Sequence, residues 1–127
     1  MKHNRQINST IMLVEDDDLN RSLLRQLLQT SGYRVVEAGN GPDALKVARR
    51  EHPKLILMDL NLPGLDGIGA TRRIREQAEL RKIPIVITTA FDAPGIREAA
   101  FDAGCNEYLI KPLDAAKLKT LIKSLGL

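Results

Sequence analysis

Residues 10–24 read TIMLVEDDDLNRSLL, and the order of residue classes within them decides the fold. Thr10–Val14 is a short apolar run rich in β-formers, without polar alternation, which suits a strand covered on both faces. Four consecutive acids, Glu15–Asp18, end it. Beyond them Leu19, Leu23, Leu24, Leu27 and Leu28 recur at helical spacing as far as Ser31-Gly32, with Asp17 or Asp18 placed to cap the helix start. A buried strand that feeds straight into an amphipathic helix is half of a parallel crossover unit.

The unit repeats downstream. Arg34–Ala38 predicts a second strand, and Asn40-Gly41-Pro42 opens a second helix that ends near His52-Pro53, with Pro42 in its first turn. Leu55–Met58 is a third buried strand, and Leu62-Pro63-Gly64 a turn before a third helix through Ile68 and Ile74. Ile85–Thr88 predicts the fourth strand, an Ala-rich stretch at about Pro94–Ala103 the fourth helix, and Glu107–Ile110 the fifth strand. Asp114 caps a last helix carrying Leu118, Leu121, Ile122 and Leu125. Five strands alternating with five helices predict an α/β chain: a flavodoxin-like (βα)5 doubly wound parallel sheet of strand order 2-1-3-4-5. Residues 1–9 read as a disordered tail and residues 10–127 as one domain.

Composition narrows the function classes. At 127 residues the chain can bury a core without disulfides or structural metals. An aromatic share of 3%, with no Trp, argues against a surface built to stack nucleic-acid bases, so no direct nucleic-acid partner is expected. The net charge of +3 is spread over dispersed Lys and Arg, which fits a solvated surface or an acidic partner. Cys105 is the only cysteine, which fits a reducing compartment, and it reads as a small buried filler; Tyr33 likewise reads as packing. Residues 1–10 lack the apolar core of a signal peptide, and no apolar run approaches the ~20 residues of a membrane span. The expected location is cytoplasmic, with no membrane partner.

In a doubly wound sheet ligands bind beyond the carboxyl ends of the strands, at the switch point between strands one and three. Strand one delivers Glu15, Asp16 and Asp17 to that rim, strand three Asp59, strand four Thr88 and Thr89, and strand five Lys111 followed by Pro112. Helix capping explains part of the first acidic group, but not Asp59 or Lys111. Clustered carboxylates repel and call for a cation, and an all-oxygen set with few carboxylates suits Mg²⁺, for which Mn²⁺ can substitute. A carboxylate beside such an ion can attack a phosphoryl group, and the charge on the phosphoryl oxygens then needs the ion, Lys111 and the Thr89 hydroxyl.

The stretches LVEDDDLNRSLL, LILMDLNLPGLDG, IVITTA and YLIKPL resemble, in order, the signature segments of the response-regulator receiver domain, over residues 10–125. The resemblance implies that Asp59 is the phosphoacceptor and that Glu15 (acting through water) and Asp16 hold the metal, together with Asp59 and the backbone carbonyl of Asn61. It implies that Thr89 and Lys111 stabilise the phosphoryl group, that Thr89 and Tyr108 form a switch in which Tyr108 turns inward, and that the peptide before Pro112 is cis. Glu15 stands where Asp is commoner. Asn61 and Phe91 are the positions expected to tune phosphate lifetime, with Phe91 either excluding water at the pocket rim or packing on the fourth helix. Asn20, Arg21 and Leu24 of the first helix resemble the docking face for a partner histidine, on a histidine kinase or a histidine phosphotransfer protein. Output to a downstream target is expected through the fourth helix, fifth strand and fifth helix. His3 and His52 lack the helical setting of a phosphohistidine donor.

The expected function is a phosphoacceptor signalling domain in a two-component phosphorelay, monomeric or dimerising on phosphorylation, that assists its own phosphorylation and dephosphorylation. Two alternatives stand beside it. One is a receiver fragment of a hybrid histidine kinase or longer regulator. The other is a small aspartyl-phosphate phosphatase, which would place a second acid where Asn61 stands.

Overall fold

The computed structural model describes residues 9–127. The expected tail and His3 lie outside the described residues except for Ser9, which is already structured: its carbonyl accepts from the Arg34 N–H at 2.9 Å. The elements follow in the order β1 (Thr10–Val14), α1 (Asp18–Thr30), β2 (Arg34–Ala38), α2 (Gly41–Glu51), β3 (Leu55–Asp59), α3 (Gly67–Arg75), β4 (Ile85–Thr89), α4 (Ile96–Ala103), β5 (Glu107–Ile110) and α5 (Ala115–Ser124). All pairings are parallel and the strand order is β2-β1-β3-β4-β5, as the sequence predicts.

Alternation along the strands divides the interior into two layers. Met12, Val14, Ile56, Met58, Ile85 and Ile87 face Ala44 and Ala48 of α2, Ala70 and Ile74 of α3 and Ala100 of α4. Ile11, Leu13, Leu55, Leu57 and Val86 face Leu28 of α1 and Leu118, Leu121 and Ile122 of α5. Because both faces are covered, β3 and β4 carry no polar position until their carboxyl ends, and β1 only Thr10 at its start.

Four helices start on a side-chain cap: Asp17 accepts from Asn20 N–H, Asn40 from Asp43 N–H, Asp66 from Gly69 N–H and Asp114 from Lys117 N–H. The fourth helix starts two residues later than expected, at Ile96, because Gly95 precedes it at φ +83, outside the helical region. Strands β3 and β4 each run one residue further than expected, to Asp59 and Thr89, and Asp59 still pairs with Thr88 in the ladder.

Candidate functional site

Parallel register brings the ends of β1, β3, β4 and β5 to one rim. Ladder-type bonds continue just past the strands: Glu15 N–H donates to Ala38 O at 3.2 Å, Leu60 N–H to Thr88 O at 2.8 Å, and Lys111 N–H to Thr89 O at 2.8 Å. Backbone pairing, rather than side-chain attraction, therefore fixes where Glu15, Asp59 and Lys111 leave the sheet. The Lys111–Pro112 peptide is cis, as expected.

Lys111 Nζ bridges the two buried acids, 2.9 Å from Glu15 Oε1 and 3.3 Å from Asp59 Oδ2. Asn61 N–H donates to Asp59 Oδ1 at 3.3 Å, and Asp17 N–H to Glu15 Oε2 at 3.1 Å. Burial and then the charge of Glu15 push the Asp59 carboxyl up from 3.8 to about 6, against the opposing pull of Lys111. Burial works against the Lys111 ammonium, but its bonds to Glu15 and Asp59 and their charges outweigh burial and raise its pKa. One lysine thus partly offsets a pocket with more negative charge than it can neutralise.

Asp16 completes the group. It is exposed, while Glu15 and Asp59 are buried, and one ligand atom from each of the three lies within 4.8 Å of the others. The set is entirely oxygen, open to water on the Asp16 side and charged beyond what Lys111 balances, which fits a hard divalent cation that keeps several waters.

Thr89 is buried, and its Oγ accepts from Phe91 N–H at 3.2 Å. Tyr108 OH donates to Phe91 O at 3.5 Å. In this conformation the Tyr108 ring lies inward and buried, with the Arg97 guanidinium 4.8 Å from its centroid. Phe91 itself is 75% exposed, which removes the reading that it packs on α4 as core.

The first helix is arranged differently from the expectation. Asn20 is exposed, but Leu24 packs inward against the α1–α5 layer with Leu27, while Leu19 and Leu23 stand out in solvent. Leu24 belongs to the stripe that continues through Leu27 and Leu28, whereas Leu19 and Leu23 lie off it. Arg21 is committed within the molecule: it donates to Glu15 O at 2.8 Å and pairs with Asp18 Oδ1 and, at 3.1 Å, with Glu37 Oε1. It therefore supports the backbone of a candidate metal-site residue, a role its spacing did not reveal.

Two glycines were also missed as site residues. A Cβ on Gly67 would collide with the Asp59 carbonyl oxygen, and one on Gly41 with the Leu65 carbonyl oxygen. Close approach of α3 and α2 to the end of β3 and the loop after it thus holds the Asp59 backbone in place. The only sequence signal was their position at helix starts.

Comparison with known proteins places this geometry. The family model described as the response regulator receiver domain matches residues 11–123. The polar-differentiation response regulator DivK of Brucella ovis is 39% identical over 118 residues, covering 93% of this chain and 96% of that protein. The receiver domain of the sensor histidine kinase PA1611 from Pseudomonas aeruginosa, solved with a magnesium ion coordinated in its active-site cleft, is 40% identical. The two superpose with a TM-score of 0.87, over 94% of this chain and 99% of that one. A response regulator from Chloroflexus aurantiacus, described as putative, gives the same TM-score of 0.87 at 32% identity, over 93% and 97% of the two chains. The acidic rim, the bridging lysine and the sheet order are thus found in a chain that the family model covers almost from end to end: it belongs to the response regulator receiver domain family.

Proposed function

We propose that the chain accepts a phosphoryl group on Asp59 from a phosphohistidine of a histidine kinase or histidine phosphotransfer protein, and passes the signal, or the group, to a downstream partner of a two-component system. The observation that carries this reading is the Asp59 carboxylate at the mouth of the central strand, paired with Lys111, which also bridges to Glu15. Glu15 and Asp16, with Asp59 and the Asn61 carbonyl, are the residues that would hold Mg²⁺. The ion supplies charge neutralisation to the phosphoryl oxygens and the acceptor. The chain supplies the rest. An Asp59 oxygen forms the O–P bond as the P–N bond to the donor histidine breaks, and Lys111 transfers its attraction from the carboxylates to a phosphoryl oxygen. In a cell the reaction would take place in the cytoplasm. Loss of the group by hydrolysis belongs to the same proposal.

The test uses purified protein, Mg²⁺ and acetyl phosphate. One hydroxylamine-labile phosphoryl group per chain is the expected product, and absence of uptake from acetyl phosphate and from every purified kinase of the organism would sink the reading.

Thr89 would carry the signal out of the pocket. A hydroxyl donates once and accepts twice, so Thr89 can keep the Phe91 N–H while it donates to a phosphoryl oxygen. The same Phe91 peptide segment offers its carbonyl to Tyr108, so a shift of Thr89 reaches β5 through one residue. Thr89→Ala is expected to accept phosphate at a rate within about threefold of wild type, since one hydroxyl donor contributes modestly beside the lysine and the metal. Its amide shifts over α4 and β5 should respond to phosphorylation much less than those of wild type. A full response there would place the signal elsewhere.

Phe91 would slow hydrolysis by keeping water from the phosphoryl group. Phe91→Glu is expected to lose phosphate about tenfold faster, a change of only ~1.4 kcal/mol in barrier. Because the ring is exposed, the fold should be unaffected, within about 0.5 kcal/mol. An unchanged phosphate half-life in a normally folded variant would remove the gating role.

A further inference from the structure

Helices α2 and α3 pack side by side on the sheet face opposite α1 and α5, and between them runs an open groove of about 730 Å³. Its floor is apolar, made by Pro42, Leu45 and Leu65. Its walls carry Lys46 and Arg49 from α2 and Arg73 from α3, all exposed, and among the described residues none of the three has an ion-pair partner. Arg50 reaches the same groove but is paired with Glu51 at 3.0 Å, and Glu79 is the one acid of the lining.

The charge of the whole chain is concentrated in this region. Residues 41–82 hold nine Lys and Arg against six Asp and Glu, while the rest of the sequence holds ten against ten, so the entire net charge of +3 falls there. Two of those six acids are engaged elsewhere, Asp59 at the phosphoacceptor rim and Asp66 at the α3 cap. Unpaired cations on two helices, held apart over an apolar floor, are the complement of carboxylates that flank an apolar side chain. Guanidinium groups pair with carboxylates through parallel hydrogen bonds, and the floor takes an aliphatic side chain out of water. Pro42 to Arg49 spans about 10 Å of helix at ~1.5 Å per residue, the length of two turns of a partner. No aromatic ring lines the groove, which tells against a nucleic-acid strand that would need stacking.

We propose that the α2–α3 groove docks a partner protein through an acidic amphipathic segment, with its carboxylates on Lys46, Arg49 and Arg73 and an aliphatic side chain between Leu45 and Leu65. This surface lies away from α1, where the resemblance places the donor-histidine contact, and from the Thr89–Tyr108 path, and its use does not depend on the phosphoacceptor reading. It gives the chain a second contact through which a partner can hold the domain while Asp59 remains free to react.

Fluorescence anisotropy tests it with the full chain and a fluorescein-labelled synthetic helix that alternates Glu pairs with Leu, compared with a scrambled peptide of the same composition. The patterned peptide should bind about tenfold tighter than the scramble, and Arg49→Glu and Arg73→Glu should each weaken it about tenfold, as truncation of close charge pairs does. Lys119→Glu, an identical charge change at an exposed position of α5, should alter the affinity less than about twofold. Arg73→Gln, which adds no charge, should give the same direction of effect with an unchanged melting curve. Equal weakening by Lys119→Glu, equal binding of the scramble, or preferential binding of a short DNA duplex would each overturn the proposal. Asp59→Asn should bind the peptide as wild type does, so this test fails or succeeds independently of phosphorylation.

Discussion

Asp59→Asn is expected to take up no phosphoryl group and, at pH 7, to be more stable than the wild-type chain. The first effect follows from the proposed role of the Asp59 carboxylate oxygen as acceptor. The second follows from the site's electrostatics. Burial and Glu15 raise the Asp59 pKa from 3.8 to about 6, so the folded state binds its proton more tightly than the unfolded state does. The stability linked to that proton is fully present below about pH 4 and is lost as pH rises through about 6. At pH 7 the ionised carboxylate therefore opposes folding, by on the order of 2–3 kcal/mol at ~1.4 kcal/mol for each tenfold gain in proton affinity. Asparagine removes the charge, keeps the volume and leaves Lys111 to Glu15 alone at 2.9 Å. Its advantage should be largest at pH 7 to 8 and should shrink toward pH 4. Urea denaturation of both proteins across that range measures it. A variant less stable than wild type at pH 7, or an advantage that grows on acidification, would show that the Lys111 pair outweighs the desolvation of Asp59.

The fold could be read from the sequence because its decisive features are local. Fully apolar runs such as Leu55–Met58, each followed by a polar break and a helical stripe, leave few topologies besides a doubly wound sheet, and the observed strand order matches. Element ends were harder to place. Asp59 and Thr89 read as the first residues beyond their strands, yet backbone pairing carries the ladder through them, since a strand end is set by its neighbour's register. Residues of the site that leave the strand ends were legible for the same reason: position along a strand fixes which rim a side chain reaches.

Side-chain commitments between elements were not legible. Arg21 divides its guanidinium among Glu15, Asp18 and Glu37, and that depends on how α1 lies across β2, which no spacing within α1 encodes. The inward ring of Tyr108 depends on Arg97 of α4 and on the Phe91 carbonyl. The exposure of Phe91 depends on the loop that leads to Gly95 at φ +83. The α2–α3 groove joins Lys46 and Arg49 to Arg73, which lie far apart in the chain and meet only through tertiary packing. In sequence they are dispersed charges of the kind that ordinarily cover a solvated surface.

Mg²⁺ is expected to raise the melting temperature of the wild-type protein by on the order of 10 °C when present at a hundredfold its dissociation constant. Binding to the folded state alone at that excess adds about 2.7 kcal/mol, and a domain of this size shifts by roughly 4 °C per kcal/mol. The reason for expecting the ion at this rim is the unbalanced charge. Lys111 faces Glu15 and Asp59, but among the described residues Asp16 has no cationic partner, although its carboxylate reaches the same 4.8 Å cluster. An ion bound there draws on Asp16 directly, so Asp16→Ala should reduce the Mg²⁺-induced shift by more than half. The same variant without metal should melt at or slightly above the wild-type temperature, because an exposed carboxylate that repels Glu15 and Asp59 has been removed. That pairing of outcomes separates a ligand from a structural residue, whose loss would lower stability with and without the ion. Scanning calorimetry in Mg²⁺, in EDTA and in NaCl of matched ionic strength supplies the measurement. Identical Mg²⁺ shifts in wild type and Asp16→Ala would place the ion outside the Glu15–Asp16–Asp59 group.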